Sequence, residues 1–545
     1  MTTPQATYLA RSESQPPPKK SAKRWRWLAG VAATSLILSA CIGPTEVTDK
    51  YPADELKDSN ATSEPGGPSA PTDEEAPAEL ANYYNAVIEW EDCGKNYECG
   101  TLEVPMDYDN PEDDVFTLAL GRRAATDPDK RLGSLLLNPG GPGGSGLTML
   151  DSIGLYFSAD VMEHYDVIGF DPRGVGESEP AVSCLTDTER DERRALTFDL
   201  DTDAGMQAFI KEAGEYAAKC EENTGPGLEF IDTVSSASDM DIIRSAVGDE
   251  KLNYVGYSYG TFLGATYAEL FPERIGRVVF DGALDPSLNY EGVGAGQARG
   301  FDRAMRAYLE YCLDREACPL SGSVDSALDE LQEFFEDLND HPLPTHDSAR
   351  DLNGEFAMSG LIVTLYSRDS WPMLTMALGA AMRERDGAML LSFADLSADR
   401  EEDGTYIPGT EAFTAINCLD YSPDPDVDAM RKDAAELEEI SPFFGPVLAY
   451  GGASCAQWPY DAKRTPAPIA AAGSDEILVI GTTRDPATPY EWAVAMDEQL
   501  ENSTLLTFDG DGHTAYGNGN TCIAAAVDDY LINGQMPPAD TTCEG

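Results

Sequence analysis

Histidine is scarce in this chain, with four in 545 residues. Chemistry that needs an imidazole base has only His164, His341, His346 and His513 to draw on. Basic residues are short too: 37 Lys and Arg stand against 97 Asp and Glu, a formal net charge of −60. A surface of that sign lacks the cations that neutralise phosphates, so nucleic acid is excluded as a partner and adsorption to anionic lipid is disfavoured. No Cys-x-x-Cys occurs and the histidines do not cluster with the cysteines, so no metal site is expected. No cofactor is expected either. The glycine-rich run at 140–146 lacks the Lys-Ser/Thr ending of a phosphate loop and the downstream acid of a dinucleotide site. There is no internal repeat, and past residue 41 no stretch is long and apolar enough to span a bilayer.

The first segment present is an export signal. Lys19, Lys20, Lys23, Arg24 and Arg26 precede an apolar run from Leu28 to Ala40, too short to span a membrane, so residues 1–40 read as a signal peptide. The run ends Leu38-Ser39-Ala40-Cys41, which resembles a bacterial lipobox and makes Cys41 the expected lipidated N-terminus. The membrane link is then covalent only, and the expected location is the outer face of the cell membrane, with plain secretion as the alternative. Residues 41–82 are rich in Pro, Ser, Thr, Asp and Glu and read as a flexible tether. Beyond Cys41 ten cysteines remain: Cys93, Cys99, Cys184, Cys220, Cys312, Cys318, Cys418, Cys455, Cys522 and Cys543. In an exported chain an even number implies disulfides, and pairing of nearest neighbours is the simplest scheme.

Gly256-Tyr257-Ser258-Tyr259-Gly260 lies between an apolar run, Lys251 to Val255, and a helix-like run from Thr261 to Leu270. A glycine-rich chain contains this pentapeptide by chance; strand before and helix after make it the nucleophile elbow of an α/β-hydrolase, with Ser258 as nucleophile. The chain order is then Ser, acid, His. His164 precedes Ser258, and His341 and His346 lie in a polar stretch with no strand before them. His513 follows the strand-like Ser503 to Phe508 inside Asp509-Gly-Asp-Gly-His513 and is the expected base. Asp485, in the loop after Glu476 to Ile480, is the expected acid; Asp281, after Arg277-Val-Val-Phe280, is the alternative, and Asp509 and Asp511 read as loop acids. The oxyanion donors are expected from the N–H of Tyr259 and from the glycine loop after Gly133 to Leu137, at Gly141, with Gly140 the neighbouring choice. Asp171-Pro-Arg173-Gly reads as a strand exit in which Arg173 holds loops near the site.

Asn138-Pro-Gly-Gly-Pro-Gly143, Asp171 to Ser178, Gly256 to Thr261 and Asp281-Gly-Ala-Leu-Asp-Pro286 together resemble the secreted bacterial tripeptidyl aminopeptidases, relatives of proline iminopeptidase. Trp90 to Cys93, Cys99 to Tyr108, and the end containing Asp485, His513, Cys522 and Cys543 are similar to theirs, so the resemblance runs from about Trp90 to Cys543. It implies a serine exopeptidase that takes short peptides, often tripeptides, from a free N-terminus. Asn138-Pro139 stands where proline iminopeptidase has His-Gly, which leaves the backbone donors in place and points away from strict proline specificity.

Strands near 115–121, 133–137, 165–170, 252–255, 276–280, 476–480 and 503–508 alternate with helical stretches, the pattern of a mostly parallel sheet covered on both faces. The distance in chain from Ser258 to Asp485 calls for an insertion, because ordinary strand connections are short. The expected division is 83–286 first core part, 287–470 helical lid and 471–545 final core part. Within the lid, Ser326 to Leu338 and Pro372 to Arg383 fit amphipathic helices. A lid carboxylate is the expected partner of a substrate ammonium. An esterase of the same fold and a non-catalytic surface lipoprotein are the competing functions.

Overall fold

The computed structural model describes residues 28–30 and 68–545, apart from 73, 75 and 408. Cys41 and most of the expected leader and tether lie outside these residues. Leu28–Gly30 form a short strand antiparallel to Thr197–Asp199. The core takes hold of the chain before residue 83. The Ser69 N–H donates to Ile88 O (3.0 Å), the Thr72 N–H donates to Ser245 O (3.0 Å), and Glu74 pairs with Arg244 (2.8 Å). Composition gave no sign of this, because polar bonds do most of the docking.

Ten strands form the central sheet: β1 (Glu91–Asp92), β2 (Glu98–Pro105), β3 (Val115–Arg123), β4 (Gly133–Asn138), β5 (Tyr165–Phe170), β6 (Leu252–Tyr257), β7 (Ile275–Asp281), β8 (Ile477–Arg484), β9 (Ser503–Asp511) and β10 (Thr542–Glu544). Their order across the sheet is β10-β9-β8-β7-β6-β4-β5-β3-β2-β1. From β5 to β10 every pair is parallel, and the pairs β5–β3, β3–β2 and β2–β1 are antiparallel.

Strand periodicity divides the apolar residues between two cores. Leu136, Ile168, Tyr254, Val278, Phe280, Ile477 and Val479 join the cluster on one face. Their neighbours Leu135, Leu137, Val167, Val255, Val279, Leu478 and Ile480 join the cluster on the other. Both faces are therefore buried, which is why these strands are continuously apolar.

Between β7 and β8 the chain builds a helical insert, with helices at Tyr290–Leu313, Val324–Asp340, Gly354–Leu365, Trp371–Gly379, Ala388–Leu396, Ala412–Asp420 and Val427–Ile440. The second is capped by Ser323, whose Oγ accepts from the Ser326 N–H, and it buries Leu328, Leu331, Phe335 and Leu338 at helical spacing. The segment expected as one helix from Pro372 to Arg383 leaves α-geometry at Ala380–Glu384 and ends at Arg385, whose φ of 60° is left-handed. The insert has an apolar core of its own, with Phe301, Leu331, Leu361, Trp371, Leu390 and Phe444 at its centre.

The ten cysteines pair in sequence order: Cys93–Cys99, Cys184–Cys220, Cys312–Cys318, Cys418–Cys455 and Cys522–Cys543. Five disulfides mark a protein of an oxidising compartment outside the cytosol. Among the described residues no helix is long and apolar enough to cross a membrane.

Candidate active site

β6 ends at Tyr257, and the next residue, Ser258, has φ 54° and ψ −124° before the helix Tyr259–Leu270 begins. That conformation costs a non-glycine residue about 1–3 kcal/mol, and neighbours hold it there. The Ser258 N–H donates to Asp281 O (2.9 Å), and Ser258 O accepts from Thr261 Oγ (2.6 Å). The turn is closed so tightly that a Cβ on Gly256 would lie 2.4 Å from Gly260 O.

The glycine loop after β4 lies directly against this turn. Gly140 has φ 98°, and a Cβ there would stand 2.4 Å from Tyr257 O and 2.9 Å from Ser258 Cβ. Asn138 Oδ1 accepts the Gly140 N–H (2.9 Å), which engages that donor and leaves Gly141 as the loop residue beside Ser258 in the cleft wall. Tyr259, on the other side of Ser258, opens its helix, where the first N–H groups have no partner within the helix.

Asp485 and His513 are brought together at the ends of β8 and β9. Nδ1 of His513 lies 2.9 and 3.0 Å from the two oxygens of Asp485. Facing a carboxylate, Nδ1 carries the proton and Nε2 is left as the acceptor. Asp485 is fully buried and also accepts the N–H groups of Ala487 (2.9 Å), Thr488 (2.8 Å) and Thr514 (3.2 Å). Thr488 Oγ, within 3.1 Å of Asp485 Oδ2 and 3.3 Å of His513 Nδ1, joins the same knot. A Cβ on Gly282, the residue after Asp281, would lie 3.3 Å from His513 Cε1, so serine turn and imidazole share one end of the sheet.

Asp281, the alternative acid, points elsewhere. Its carboxylate accepts the N–H groups of Ala515 (3.0 Å) and Tyr516 (2.7 Å). Burial pushes its carboxyl up to about 7, against the pull of those two N–H groups. Asp509 and Asp511 end β9 and pair with Arg484. Arg173 is fully buried and donates to Asp239 (2.6 and 2.8 Å) and to the carbonyls of Pro105, Met106 and Phe230. In the same turn Asp171 accepts from Ser145 Oγ (2.6 Å), which ties the glycine loop down. His164 lies far from this cluster in the fold, bonded to its own helix at Asp160 O, and exposed His341 bonds Asp337.

Ser258 opens into a cleft between the sheet end and the insert. The insert contributes Tyr290, Gln297, Tyr366, Asn417 and Tyr421 to its walls. Tyr366 O accepts the His513 N–H (2.8 Å), and the tyrosine ring meets the imidazole edge-on at 5.1 Å. Among the described residues that line the cleft there is no Asp or Glu, so a lid carboxylate for a substrate ammonium would have to reach in from beside the walls. Wall residues have acidic neighbours in the chain: Asp285 after Leu284, Asp420 before Tyr421, and a glutamate at the start of the helix Tyr290–Leu313. There Glu291 follows the wall residue Tyr290 and accepts the Asp424 N–H (3.3 Å). Sequence reasoning missed Tyr366, Gln297 and Tyr290, which sit on helices with nothing local to mark a functional face. Thr488 was within reach, as the third residue after a buried Asp in a turn.

The arrangement of a hydroxyl on a strained turn, an imidazole oriented by a buried carboxylate and backbone donors beside the hydroxyl is suited to acyl transfer. Comparison with known proteins agrees. A model of the α/β-hydrolase fold matches residues 133–371, and a model described as TAP-like protein matches residues 441–543. Serine protease Hip1 of Mycobacterium tuberculosis is 38% identical over 456 residues, 82% of this chain and 87% of that one. Carboxylesterase B of the same organism is 37% identical over 491 residues, 89% of this chain and 93% of that one. Tripeptidyl aminopeptidase of Streptomyces lividans is 31% identical over 495 residues, 84% and 87% of the two chains. The chain belongs to the tripeptidyl aminopeptidase family of α/β-hydrolases, as a serine peptidase of that fold.

Proposed function

We propose that this protein is an exported exopeptidase that removes short peptides, tripeptides foremost, from a free N-terminus. Ser258 is the nucleophile, His513 the general base and Asp485 the carboxylate that orients it. The N–H groups of Tyr259 and Gly141 receive the oxyanion. Nε2 of His513 takes the Ser258 proton as Oγ attacks the scissile carbonyl, then gives it to the leaving amine; water repeats the cycle on the acyl-enzyme. The observation that carries the reading is the hydrogen bonding of His513 to fully buried Asp485 at the sheet end that also holds Ser258. Relatives named as a serine protease and a tripeptidyl aminopeptidase support peptide substrates.

The insert selects the substrate. Its aromatic walls suit the body of a short peptide, and Glu291, on the turn beside Tyr290, is the partner assigned to the terminal ammonium. Export rests on the five disulfides, and Cys41 is the proposed site of lipid attachment.

An esterase reading is favoured by one finding, the 37% identity to a protein named carboxylesterase B. The two separate on a panel of matched substrates: peptide amides with free N-termini, the same peptides acetylated, and acyl esters. The peptidase reading expects acetylation to lower kcat/KM about tenfold or more, because it removes the charge of the paired ammonium. Equal rates on free and acetylated peptides would refute it, and rapid ester hydrolysis with inert peptides would establish the esterase.

A further inference from the structure

The loop that carries His513 has four consecutive backbone N–H groups, each with a partner. His513 donates to Tyr366 O (2.8 Å) and Thr514 to Asp485 Oδ2 (3.2 Å). Ala515 donates to both oxygens of Asp281 (3.0 Å each) and Tyr516 to Asp281 Oδ2 (2.7 Å). Thr514, in the middle of this run, has a left-handed φ of 64°. The loop thus grips two buried carboxylates, and only Asp485 touches the imidazole.

Asp281 occupies a central place. It is fully buried at the end of β7, registered against Tyr257 of β6 and Ile480 of β8. Its carbonyl accepts the Ser258 N–H (2.9 Å) while its carboxylate holds the base loop. We propose that Asp281 is a positioning residue that sets the spacing of nucleophile and base, its carbonyl fixing Ser258 and its carboxylate fixing the loop of His513. The inference rests on the assignment of Ser258 and His513 above and is independent of which substrate is cut.

Asp281 ionisation then bears on activity. The ionisable groups that face it are His513 on the base loop, which favours its charged form, and Asp485 on the acid loop, which opposes it; Tyr257 and Ile480 beside it bring no charge at neutral pH. Burial outweighs the rest and holds the carboxyl near 7. Above that pH both oxygens accept from the loop. Below it a proton occupies one oxygen and the grip on Ala515 and Tyr516 weakens. Protonation of Asp281 therefore loosens the loop that positions His513.

The test is the rate at which a small fluorophosphonate modifies Ser258, measured from about pH 5 to about pH 9 on the full chain and on Asp281→Asn, with folding checked by thermal melting. In Asp281→Asn the rate at about pH 8 should be about 10- to 100-fold lower, the scale of a small misplacement of reacting groups, and the advantage of the wild type should shrink as the pH falls through about 7. A ratio of the two rates that is the same across the whole pH range overturns the proposal. A folded variant within twofold of wild type overturns it as well. Labelling absent at every pH removes the serine–histidine pair and this proposal with it, whereas inert peptides with normal labelling leave it standing.

Discussion

The central sheet and the helical insert each bury an apolar core, and both reach the cleft, but they supply different things. Ser258, Asp281, Asp485 and His513 all stand at or just past a strand end. Their positions are set by sheet register and by backbone N–H groups that leave little freedom. Tyr290, Gln297, Tyr366, Asn417 and Tyr421 stand on or just beyond helices of the insert, and their reach to the cleft depends on how those helices lie over the sheet. Many bonds couple the two parts, among them Tyr366 O to the His513 N–H, Gln297 Nε2 to Ala487 O (3.2 Å), Arg303 to Thr483 O (3.0 Å), Arg190 to Glu411 (2.7 Å) and Arg400 to Asp191 (2.8 Å). On the proposed reading, reaction chemistry belongs to the sheet and substrate choice to the insert, a division that lets relatives of one fold differ in substrate.

That division predicts a gradient of effects. The largest belong to the sheet. Asp485→Asn should lower kcat about 10⁴-fold in steady-state assays, since the imidazole loses the partner that sets its tautomer, with KM little changed. Substitutions in the insert should act on KM instead. Glu291→Gln should raise KM for free-amine peptides about three- to tenfold and leave the rate on acetylated peptides alone. A kcat effect as large as that of Asp485→Asn would break the division. The smallest effects on activity are expected from the insert's disulfides, whose contribution is to stability and is read by chemical denaturation. Removing Cys312–Cys318, which closes a loop of separation 6, should cost about 2 kcal/mol, against about 4 kcal/mol for Cys418–Cys455 with separation 37, because the longer loop loses more unfolded-state entropy when crosslinked.

The same contrast explains what was legible in the sequence. Strands buried on both faces read as apolar runs, and the glycines around Ser258 and after β4 mark backbone that side chains would obstruct. With four histidines, chain order removed His164, and the lack of a strand before His341 and His346 left His513. Short edge strands β1 and β10 were not legible, since two- and three-residue strands leave no period to detect. Nor was the hold of Asp281 on Ala515 and Tyr516, because a carboxylate bound by backbone N–H groups places no demand on the residue types of the loop. The insert's contribution was hidden for a third reason. Amphipathic spacing shows which side of a helix is buried, but not whether it faces its own core or a cleft.

The central claim is that Ser258, activated through His513, is the group that reacts. Intact-mass and peptide mass spectrometry after treatment with a fluorophosphonate tests it most directly, on the wild type, Ser258→Ala and His513→Ala. The account predicts one adduct, on Ser258, absent from Ser258→Ala and formed several orders of magnitude more slowly in His513→Ala. An adduct that persists in folded Ser258→Ala, or forms at the wild-type rate without His513, would contradict it.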